Sequence, residues 1–504
     1  MIRPTLEEVK KICGENTVIP IALEILSDQK TPIEILRNIR RQNRHCFILE
    51  SVNGSDSWGR YTFLGYKPVL NIYGTGDSVI IKNEIDETVV NKGAVSVIKE
   101  LVSQYKSPRV SYLPPFTGGF VGYFAYDFVR NFIPGLCLRA KDKEGFSQAK
   151  DKEGFSQAKD KEGSRDFHLM LIDKVIAFDH FEQKIYIIIN IKADNVENNY
   201  IKGITELKDI EGMILGAGVH YDDEPSVCGE FSPSYTEEQF AGMVEKVKFH
   251  IVEGDIFQAV ISNRFHAPFK GSLLNTYRIL RTINPSPYMV YMRLDNMEIA
   301  CASPETLVSL RNGEVSSYPL AGTCPRGETE CEDASLIESL LQDEKELAEH
   351  DMLVDLARND IGKVCGFGSV KVREYRQIKR FSHVSHISSH VTGTLREGMD
   401  AIDVIAATLP AGTLSGAPKK RACEIIDEVE GIKRGVYGGA MGYIDFAGNM
   451  DMCIGIRMAV LKDGKVYVQS GAGIVADSIP EKEYRESQNK ARAVMLALKK
   501  GGEV

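Results

Sequence analysis

The stretch DEKELAEHDMLVDLARNDIGKVC, residues 343–365, is the part of the sequence from which the rest is best interpreted. At about 3.6 residues per turn, it predicts a helix that places Leu353 and Leu356 on one stripe. Glu349 and Asp360 fall on the same stripe, where a carboxylate needs a partner because its burial is costly. Two interpretations of Glu349 stay open: a salt bridge at the helix end, or a ligand for a hard cation.

The last predicted helix offers a second inward carboxylate. Pro480 can start this helix, and Glu486 and Lys490 share a stripe that continues through two alanines. An i,i+4 Glu–Lys pair on a solvated face, worth about a few tenths of a kcal/mol, is the ordinary explanation. Alternatively, Glu349 and Glu486 together bind Mg²⁺, which takes one or two carboxylates and keeps oxygens from water and substrate.

A Gly/Thr/Ser loop in LPAGTLSGAPK, residues 409–419, leads to Pro418 at a predicted helix start. Free N–H groups and the positive helix end attract an anion there. Ala-Pro-Lys after Gly416 excludes a Walker A loop, so the expected ligand is a carboxylate, and an ordinary capped turn is the alternative. Arg457, flanked by Gly-rich turns, suits bidentate carboxylate recognition.

Two residues are candidates for proton transfer. Glu305 follows Ser-Pro at a predicted strand end, and His386 lies between His383 and His390. A lone histidine is more often a structural hydrogen-bonding residue. The three histidines could suggest a metal cluster, but their spacing does not match a zinc-binding helix.

Composition is that of an ordinary soluble globular protein. Of 504 residues, 43% are hydrophobic and 26% charged. The net charge of −9, with no basic stripe, argues against a nucleic-acid partner. No segment approaches the roughly 18 apolar residues of a membrane span, and the first residues do not resemble a secretory signal. Ten cysteines without a CxxC pair predict reduced thiols and a cytoplasmic protein.

The order of predicted elements indicates a mixed α/β chain. Residues 1–45 look helical, and residues 167–191 read as two strands. A polar nine-residue repeat at 140–163 predicts a mobile surface insertion, or a short charged helix. A polar acidic stretch suggests a boundary between an N-terminal region, 1–231, and a C-terminal region, 232–504.

Eight motifs together resemble the chorismate-utilising enzymes, most closely the component I subunits of anthranilate synthases. In family order they are GDIFQAVISNRF, NPSPYMVYM, ASPETL, YPLAGTCPRG, EHDMLVDLARND, LPAGTLSGAPK, YGGAMGY and ESQNKARA. The resemblance covers nearly the whole chain, and the repeat departs from it. It implies an α/β (α+β) sandwich of large mixed or antiparallel β-sheets, packed together and flanked by helices, with the active site between the sheets.

The resemblance also implies roles for individual residues. Glu349 and Glu486 would bind Mg²⁺, which holds the ring carboxylate of chorismate. Glu305 would be the general acid that protonates the departing C4 hydroxyl, with a pKa raised toward neutral. His386 would assist elimination of pyruvate, with Thr323 close by. The implied substrate-binding positions are Gly412, Thr413, Tyr437, Arg457, Gly471, Ala472, Gly473 and Lys490.

Two positions favour ammonia as the nucleophile at C2. Gln258 stands where isochorismate-forming members carry a Lys, and Ala321 where aminodeoxychorismate synthases usually carry one. Because no Cys-His-Glu glutaminase motif is present, ammonia should come from a separate glutamine amidotransferase subunit, and we expect a hetero-oligomer. The alternatives are an aminodeoxychorismate synthase component I and a non-catalytic tryptophan-sensing subunit.

Five further residues match the tryptophan feedback site of the family: Glu50, Ser51, Pro287, Tyr288 and Met289. Carboxylate and hydroxyl groups would hold the amino group, while Tyr and Met would cover the indole ring. The alternative is a strand-end turn with ordinary core packing.

Overall fold

A computed structural model describes residues 2–51, 59–136, 138, 165–216, 226–227, 229–380 and 384–503. The repeat at 140–163 and His383 lie outside the described residues. In chain order the strands are β1 (Ile2–Arg3), β2 (Val18–Leu26), β3 (His45–Glu50), β4 (Tyr61–Tyr66), β5 (Leu70–Thr75), β6 (Ser78–Lys82), β7 (Glu87–Val90), β8 (Gly119–Phe124), β9 (Phe167–Ile172), β10 (Lys174–Asp179), β11 (Lys184–Lys192), β12 (Ser226–Val227), β13 (Ser232–Pro233), β14 (Gln258–Lys270), β15 (Tyr288–Leu294), β16 (Met297–Ser303), β17 (Thr306–Arg311), β18 (Glu314–Ser317), β19 (Leu320–Pro325), β20 (Lys371–Arg380), β21 (Val384–Thr394), β22 (Gly416–Ala417), β23 (Ala440–Asp445), β24 (Met450–Ile454), β25 (Met458–Lys462) and β26 (Lys465–Ile474).

Helices flank these strands and connect them. In chain order they are α1 (Leu6–Ile12), α2 (Pro32–Gln42), α3 (Ala94–Ser103), α4 (Val196–Leu215), α5 (Glu237–Val252), α6 (Leu274–Ile283), α7 (Glu330–Gln342), α8 (Glu344–Gly362), α9 (Ala401–Thr408), α10 (Lys419–Glu430) and α11 (Pro480–Lys500). Short 3₁₀ turns span Tyr126–Asn131, Gly412–Leu414 and Gly501–Glu503. No helix in the described part of the chain is long and apolar enough to cross a membrane.

The strands form two large antiparallel sheets. The first has the order β1-β2-β11-β10-β4-β3-β15-β16-β25-β26-β14-β12, with β13 and β22 also paired to β14. The second has the order β19-β21-β18-β17-β24-β23-β8-β9-β5-β6-β7, with β20 paired to β21. This confirms the predicted sandwich.

Three hydrophobic layers hold the sandwich together. An inner layer between the sheets joins residues such as Phe47 and Cys301 of the first sheet to Met170 and Met441 of the second. A second layer packs α2, α4, α6 and α11 on the outer face of the first sheet. A third packs α3, α8 and α9 on the outer face of the second sheet. Alternation of side chains along each strand supplies both faces.

Strands from both predicted regions meet within each sheet. In the first sheet β3 pairs with β15, where Glu50 lies opposite Met289. In the second sheet β8 pairs with β23. We call these two strand pairs the seam. The boundary at 231/232 stays a prediction, but the two regions share one layered core.

Two secondary-structure predictions were wrong. Residues 1–45 are not mainly helical, because the β-branched run Val18–Leu26 forms β2 and pairs with β11 over its whole length. Residues 167–191 form three strands rather than two, because the chain passes at Asp173 from the second sheet into the first.

Candidate active site

A cavity of about 810 Å³ opens between the sheets in the C-terminal region. Its walls come from β14 and β26 of the first sheet, β19 and β21 of the second, and the helices α8 and α11. Most of the predicted catalytic, substrate and metal residues line it: Glu305, Thr323, Glu349, His386, Thr413, Tyr437, Arg457, Gly471, Gly473, Glu486 and Lys490.

Two of the predicted substrate residues are placed differently. Gly471 and Gly473 face the cavity, whereas the Ala472 side chain is buried in the core that β26 forms with α5 and α10. The reason is the two-residue period of a strand. Gly412 lines a small neighbouring pocket, and a Cβ there would come within 2.0 Å of Leu356 Cδ2. Ala472 and Gly412 therefore lie behind the walls.

Glu305 occupies the short link between β16 of the first sheet and β17 of the second. Its backbone oxygen accepts a hydrogen bond from Ile454 N at 3.0 Å. The Thr413 hydroxyl donates to Glu305 Oε1 at 3.0 Å. Burial raises the pKa of Glu305 to about 7, while the Thr413 hydrogen bond and the Lys490 charge oppose that rise. The carboxyl group is therefore poised to donate a proton near neutral pH.

His386 and Thr323 lie opposite each other on β21 and β19. The histidine Nδ1 is 2.9 Å from Thr323 Oγ1 and 3.2 Å from Gly322 O. Burial lowers the pKa of His386, and the Arg457 charge lowers it further. Both effects favour the neutral imidazole, against the hydrogen bond with Gly322 O, and such a ring can exchange a proton with a bound ligand.

Arg457 and Lys490 make the wall next to β26 positively charged. The Arg457 guanidinium donates to Lys490 O at 2.5 Å, and Lys490 Nζ donates to Gly471 O at 3.1 Å. Burial lowers the pKa of Arg457, and an anion in the cavity would offset that burial. A side chain at Gly471 would meet Ile261 O at 2.4 Å and the Tyr437 hydroxyl at 3.1 Å, so glycine is required for this close approach.

Four carboxylates from two helices line one end of the cavity. Glu346 and Glu349 come from α8, and Glu483 and Glu486 come from α11. Burial raises the pKa of Glu349, and the charges of Glu346 and Glu486 raise it further. Burial and the charge of Glu486 also raise the pKa of Glu483, against a hydrogen bond from Ser478. The charges of Lys345 and Lys490 oppose both rises, so lysines of the same cavity offset part of this negative charge.

The carboxylates of α8 and α11 suit Mg²⁺ better than a metal ion whose ligands all come from the protein. Among the described residues, no three His, Cys, Asp or Glu side chains are gathered closely enough to hold a metal ion themselves. Mg²⁺ needs only one or two carboxylates, because waters and substrate oxygens complete its shell. Glu486 forms the ordinary i,i+4 pair with Lys490 at 2.7 Å, so both interpretations of this helix face are compatible with the structure.

The anion site expected at the start of α10 stays a prediction. Lys419, the first residue of α10, is buried and donates to Asp360 Oδ2 at 2.6 Å and to Thr408 O at 3.1 Å. Of the loop before it, Thr413 and Leu414 line the cavity. The Lys419 side chain thus forms an internal ion pair, which supplies the partner that Asp360 on α8 required.

The described histidines form no metal cluster with His386. His390 stacks on Tyr318 with ring centroids 4.4 Å apart and contacts Ser316 Oγ at 3.2 Å. These are structural contacts, as expected for most histidines.

A second, smaller pocket lies at the seam and is lined by all five predicted tryptophan-site residues: Glu50, Ser51, Pro287, Tyr288 and Met289. Glu50 already accepts bonds from Tyr277 at 2.5 Å and Arg281 at 3.2 Å. Within the described part of the chain, the buried Ser51 hydroxyl has no hydrogen-bond partner.

Tyr288 connects this pocket to the cavity region. Its hydroxyl donates to Asp451 Oδ1 at 2.8 Å and lies 3.0 Å from Thr306 Oγ1. Thr306 directly follows Glu305 in the sequence. The two pockets therefore share a short covalent and hydrogen-bonded connection.

Sequence reasoning missed Glu346 and Glu483. Each lies three residues before a predicted metal ligand, Glu349 or Glu486, and i,i+3 residues share a helix face. The three-residue spacing was therefore the sequence signal that could have identified both residues. Gln258 and Ala321, singled out for the choice of nucleophile, both line the cavity.

A family model and the most similar relatives that follow point to the same family. The chorismate binding enzyme model matches residues 44–496. The anthranilate synthase component 1 of Acetivibrio thermocellus is 42% identical over 516 aligned residues, with 100% of both chains covered. That of Aquifex aeolicus is 43% identical, with 98% of this chain and 97% of the relative covered.

Solved structures share the architecture. Anthranilate synthase component I from Streptococcus pneumoniae TIGR4 has a TM-score of 0.73 at 34% identity, covering 93% of this chain and 98% of the other. The menaquinone-specific isochorismate synthase from Escherichia coli has a TM-score of 0.70 at 17% identity, covering 98% of both chains. The second likeness concerns the fold alone.

Proposed function

This chain belongs to the chorismate binding enzymes, and from that premise we propose that it is the component 1 subunit of an anthranilate synthase. It would convert chorismate and ammonia to anthranilate, pyruvate and water, in the tryptophan pathway. The observation that carries the proposal is Glu305, a cavity carboxyl group with a pKa of about 7. It can protonate a hydroxyl leaving group at the pH of a cell.

Each wall of the cavity has a task in this reaction. Arg457 and Lys490 bind the carboxylates of chorismate. Glu305 transfers its proton to the C4 hydroxyl, which leaves as water while ammonia forms a bond to C2. His386, held by Thr323, assists the loss of pyruvate, and loss of the C2 proton makes the ring aromatic. Gln258 and Ala321 offer no cationic amine, which favours ammonia over water at C2.

We propose Mg²⁺ as the cofactor, held by Glu349 and Glu486 with Glu346 and Glu483 alongside. When bound, it would neutralise the ring carboxylate of chorismate. The support is the mutual repulsion of carboxylates in a cavity that must also accept an anion. Lys345, Lys482 and Lys490 line the same cavity and offset part of this repulsion, and Mg²⁺ would supply a further counter-charge.

Ammonia requires a second protein in this proposal. The sequence contains no glutaminase motif, and the relatives carry the name component 1. A glutamine amidotransferase subunit would supply ammonia, giving a hetero-oligomer. We place the protein in the cytoplasm, because the described cysteines carry free thiols.

We further propose that tryptophan binds in the seam pocket and inhibits turnover. Ser51→Ala should weaken inhibition by tryptophan about 10-fold or more, because a hydrogen bond to a charged amino group is lost. The measurement is the tryptophan concentration that halves anthranilate formation. Turnover without tryptophan should be unchanged, since Ser51 lies outside the catalytic cavity. Wild-type sensitivity in the variant would remove Ser51 from the site.

The function itself is tested by product formation. The purified chain is mixed with chorismate, Mg²⁺ and ammonium at a pH near 8, and anthranilate fluorescence is followed with and without tryptophan. Anthranilate that decreases on adding tryptophan supports both assignments. Consumption of chorismate to aminodeoxychorismate or isochorismate would overturn the assignment of ammonia attack followed by aromatisation.

A further inference from the structure

A buried polar network supports the cavity wall formed by β14 and β26, and one of its residues, Gln469, also lines the cavity. We call it the floor network; its members are Ser262, Arg264, Glu430, Arg434 and Gln469. Arg434 Nη2 and Nε donate to the two carboxylate oxygens of Glu430, at 2.6 and 2.9 Å. Glu430 also accepts from Ser262 N at 2.7 Å and from Ser262 Oγ at 2.9 Å. Gln469 links Ser262 to Arg264, at 2.8 and 3.0 Å.

The Arg434–Glu430 pair is a costly way to fill a core. Both side chains are only 1% exposed, and desolvation of two charges can exceed their attraction. Well-packed apolar residues often stabilise such a position equally well. The geometry that the pair imposes is therefore a better explanation for it than stability.

One guanidinium reaches three elements of the cavity wall. Arg434 Nη1 donates to Leu414 O, and Nη2 donates to Val260 O, each at 2.6 Å. Its Cζ lies 5.9 Å from the ring centre of Tyr437. Leu414, Val260 and Tyr437 all line the cavity. Arg434 itself does not line it, so its influence must pass through these neighbours.

The contact with Leu414 matters most, because the preceding residue is Thr413. The Thr413 hydroxyl donates to the Glu305 carboxyl at 3.0 Å. The loop that carries it is a single 3₁₀ turn, Gly412–Leu414. A carbonyl held at the end of so short a turn restricts where the neighbouring hydroxyl can lie.

We propose that Arg434 is a positioning residue that holds the Thr413 hydroxyl against the Glu305 carboxyl group and keeps Tyr437 in the cavity wall. This rests on the proposed function, since Glu305 is there the proton donor. Lysine cannot replace Arg434: an ammonium group is compact, whereas the planar guanidinium serves two carbonyls and a carboxylate in one plane.

The test is Arg434→Lys, measured by kcat and by the pH profile of kcat/KM at a fixed concentration of uncharged ammonia. We expect kcat to fall about 10- to 100-fold, because small misplacements in a site cost rates of this order. The Thr413 hydrogen bond holds the pKa of Glu305 down. Loss of this hydrogen bond raises the pKa of Glu305. The alkaline limb of the profile, where kcat/KM falls with rising pH, should therefore move to higher pH. Thr413→Val should move the limb in the same direction.

A purely structural role would give a different result. It would lower Tm but leave the alkaline limb in place. The matched control is Arg40→Lys, which changes another poorly exposed arginine–glutamate pair, with Glu298, on the outer face of the first sheet. That variant should keep the wild-type limb whatever its Tm.

Two outcomes would overturn the inference: a wild-type alkaline limb, or a wild-type kcat, in folded Arg434→Lys. If this variant is insoluble, Glu430→Gln decides instead, because it removes the charge that anchors the guanidinium and should shift the limb in the same direction. Failure of the proposed function would appear separately, as wild-type protein that forms no anthranilate.

Discussion

Glu305→Gln is expected to lower kcat for anthranilate formation by about 10²–10⁴-fold, the range that a general acid contributes. The amide has nearly the same shape and can still accept the Thr413 hydrogen bond, but it cannot supply a proton. The C4 oxygen would then have to leave as hydroxide. The measurement is the single-turnover rate with saturating chorismate, so that effects on binding are separated from chemistry.

The pKa of Glu305 determines the direction in which kcat/KM should change with pH. Burial raises the pKa of Glu305 to about 7, and the acid must be protonated to act. At a fixed concentration of uncharged ammonia, wild-type kcat/KM should therefore fall as pH rises through about 7. In Glu305→Gln that limb should disappear from the residual rate. A limb that persists in the variant would assign the proton transfer to another residue.

Stability supplies the control. A carboxyl group whose pKa is higher in the folded than in the unfolded state favours folding at low pH and loses that contribution as pH rises through the folded value. At pH 8 the ionised Glu305 opposes folding, and Gln removes the charge. Glu305→Gln should therefore have a Tm at pH 8 equal to or above that of the wild type, so lost activity cannot be attributed to unfolding.

Glu349→Gln is expected to abolish the response to Mg²⁺ and to reduce turnover at least about 100-fold. That exceeds the roughly 10–100-fold loss that follows removal of a residue that only supports a metal ligand. Calorimetric titration with Mg²⁺ alone measures binding without reference to activity. Protons compete with Mg²⁺ for the Glu349 carboxylate, whose pKa is raised. Wild-type affinity for Mg²⁺ should therefore also weaken as pH falls.

The matched control is Asp355→Asn on the same helix. Asp355 is exposed, pairs with Arg358 at 2.8 Å and lies outside the cavity lining. An exposed i,i+3 pair contributes little, so this variant should bind Mg²⁺ and turn over like the wild type. Near-full, Mg²⁺-dependent turnover in Glu349→Gln would disprove the metal assignment.

Helices were predictable where local chemistry defines their ends. Helix α8 begins after Asp343, whose side chain accepts from the N–H groups of Lys345 and Glu346, and α11 begins at Pro480. Such caps act within one turn of the chain. The buried stripe of Leu353 and Asp360 also followed from the helical period, whereas Glu349, expected to be buried on that stripe, is exposed at the cavity.

Other features depend on contacts that sequence spacing does not encode. The strand β2 is fixed by its pairing with β11, about 165 residues later in the chain. The face that Ala472 presents depends on which side of β26 meets the helices. The ion pair between Lys419 and Asp360 joins two helices, and no sequence spacing indicates it. Resemblance to a family identified most residues that line the cavity. Only the folded structure distinguishes them from residues that lie behind the lining, such as Ala472.

The seam has a consequence for how this chain can be divided. The pairs β3–β15 and β8–β23 cross from the N-terminal to the C-terminal region in both sheets. A cut between the regions would leave two rows of unpaired N–H and C=O groups, and such open edges recruit other strands. The seam pocket and the larger cavity therefore do not belong to detachable modules. A substitution that loosens the seam weakens the sheets to which both pockets belong.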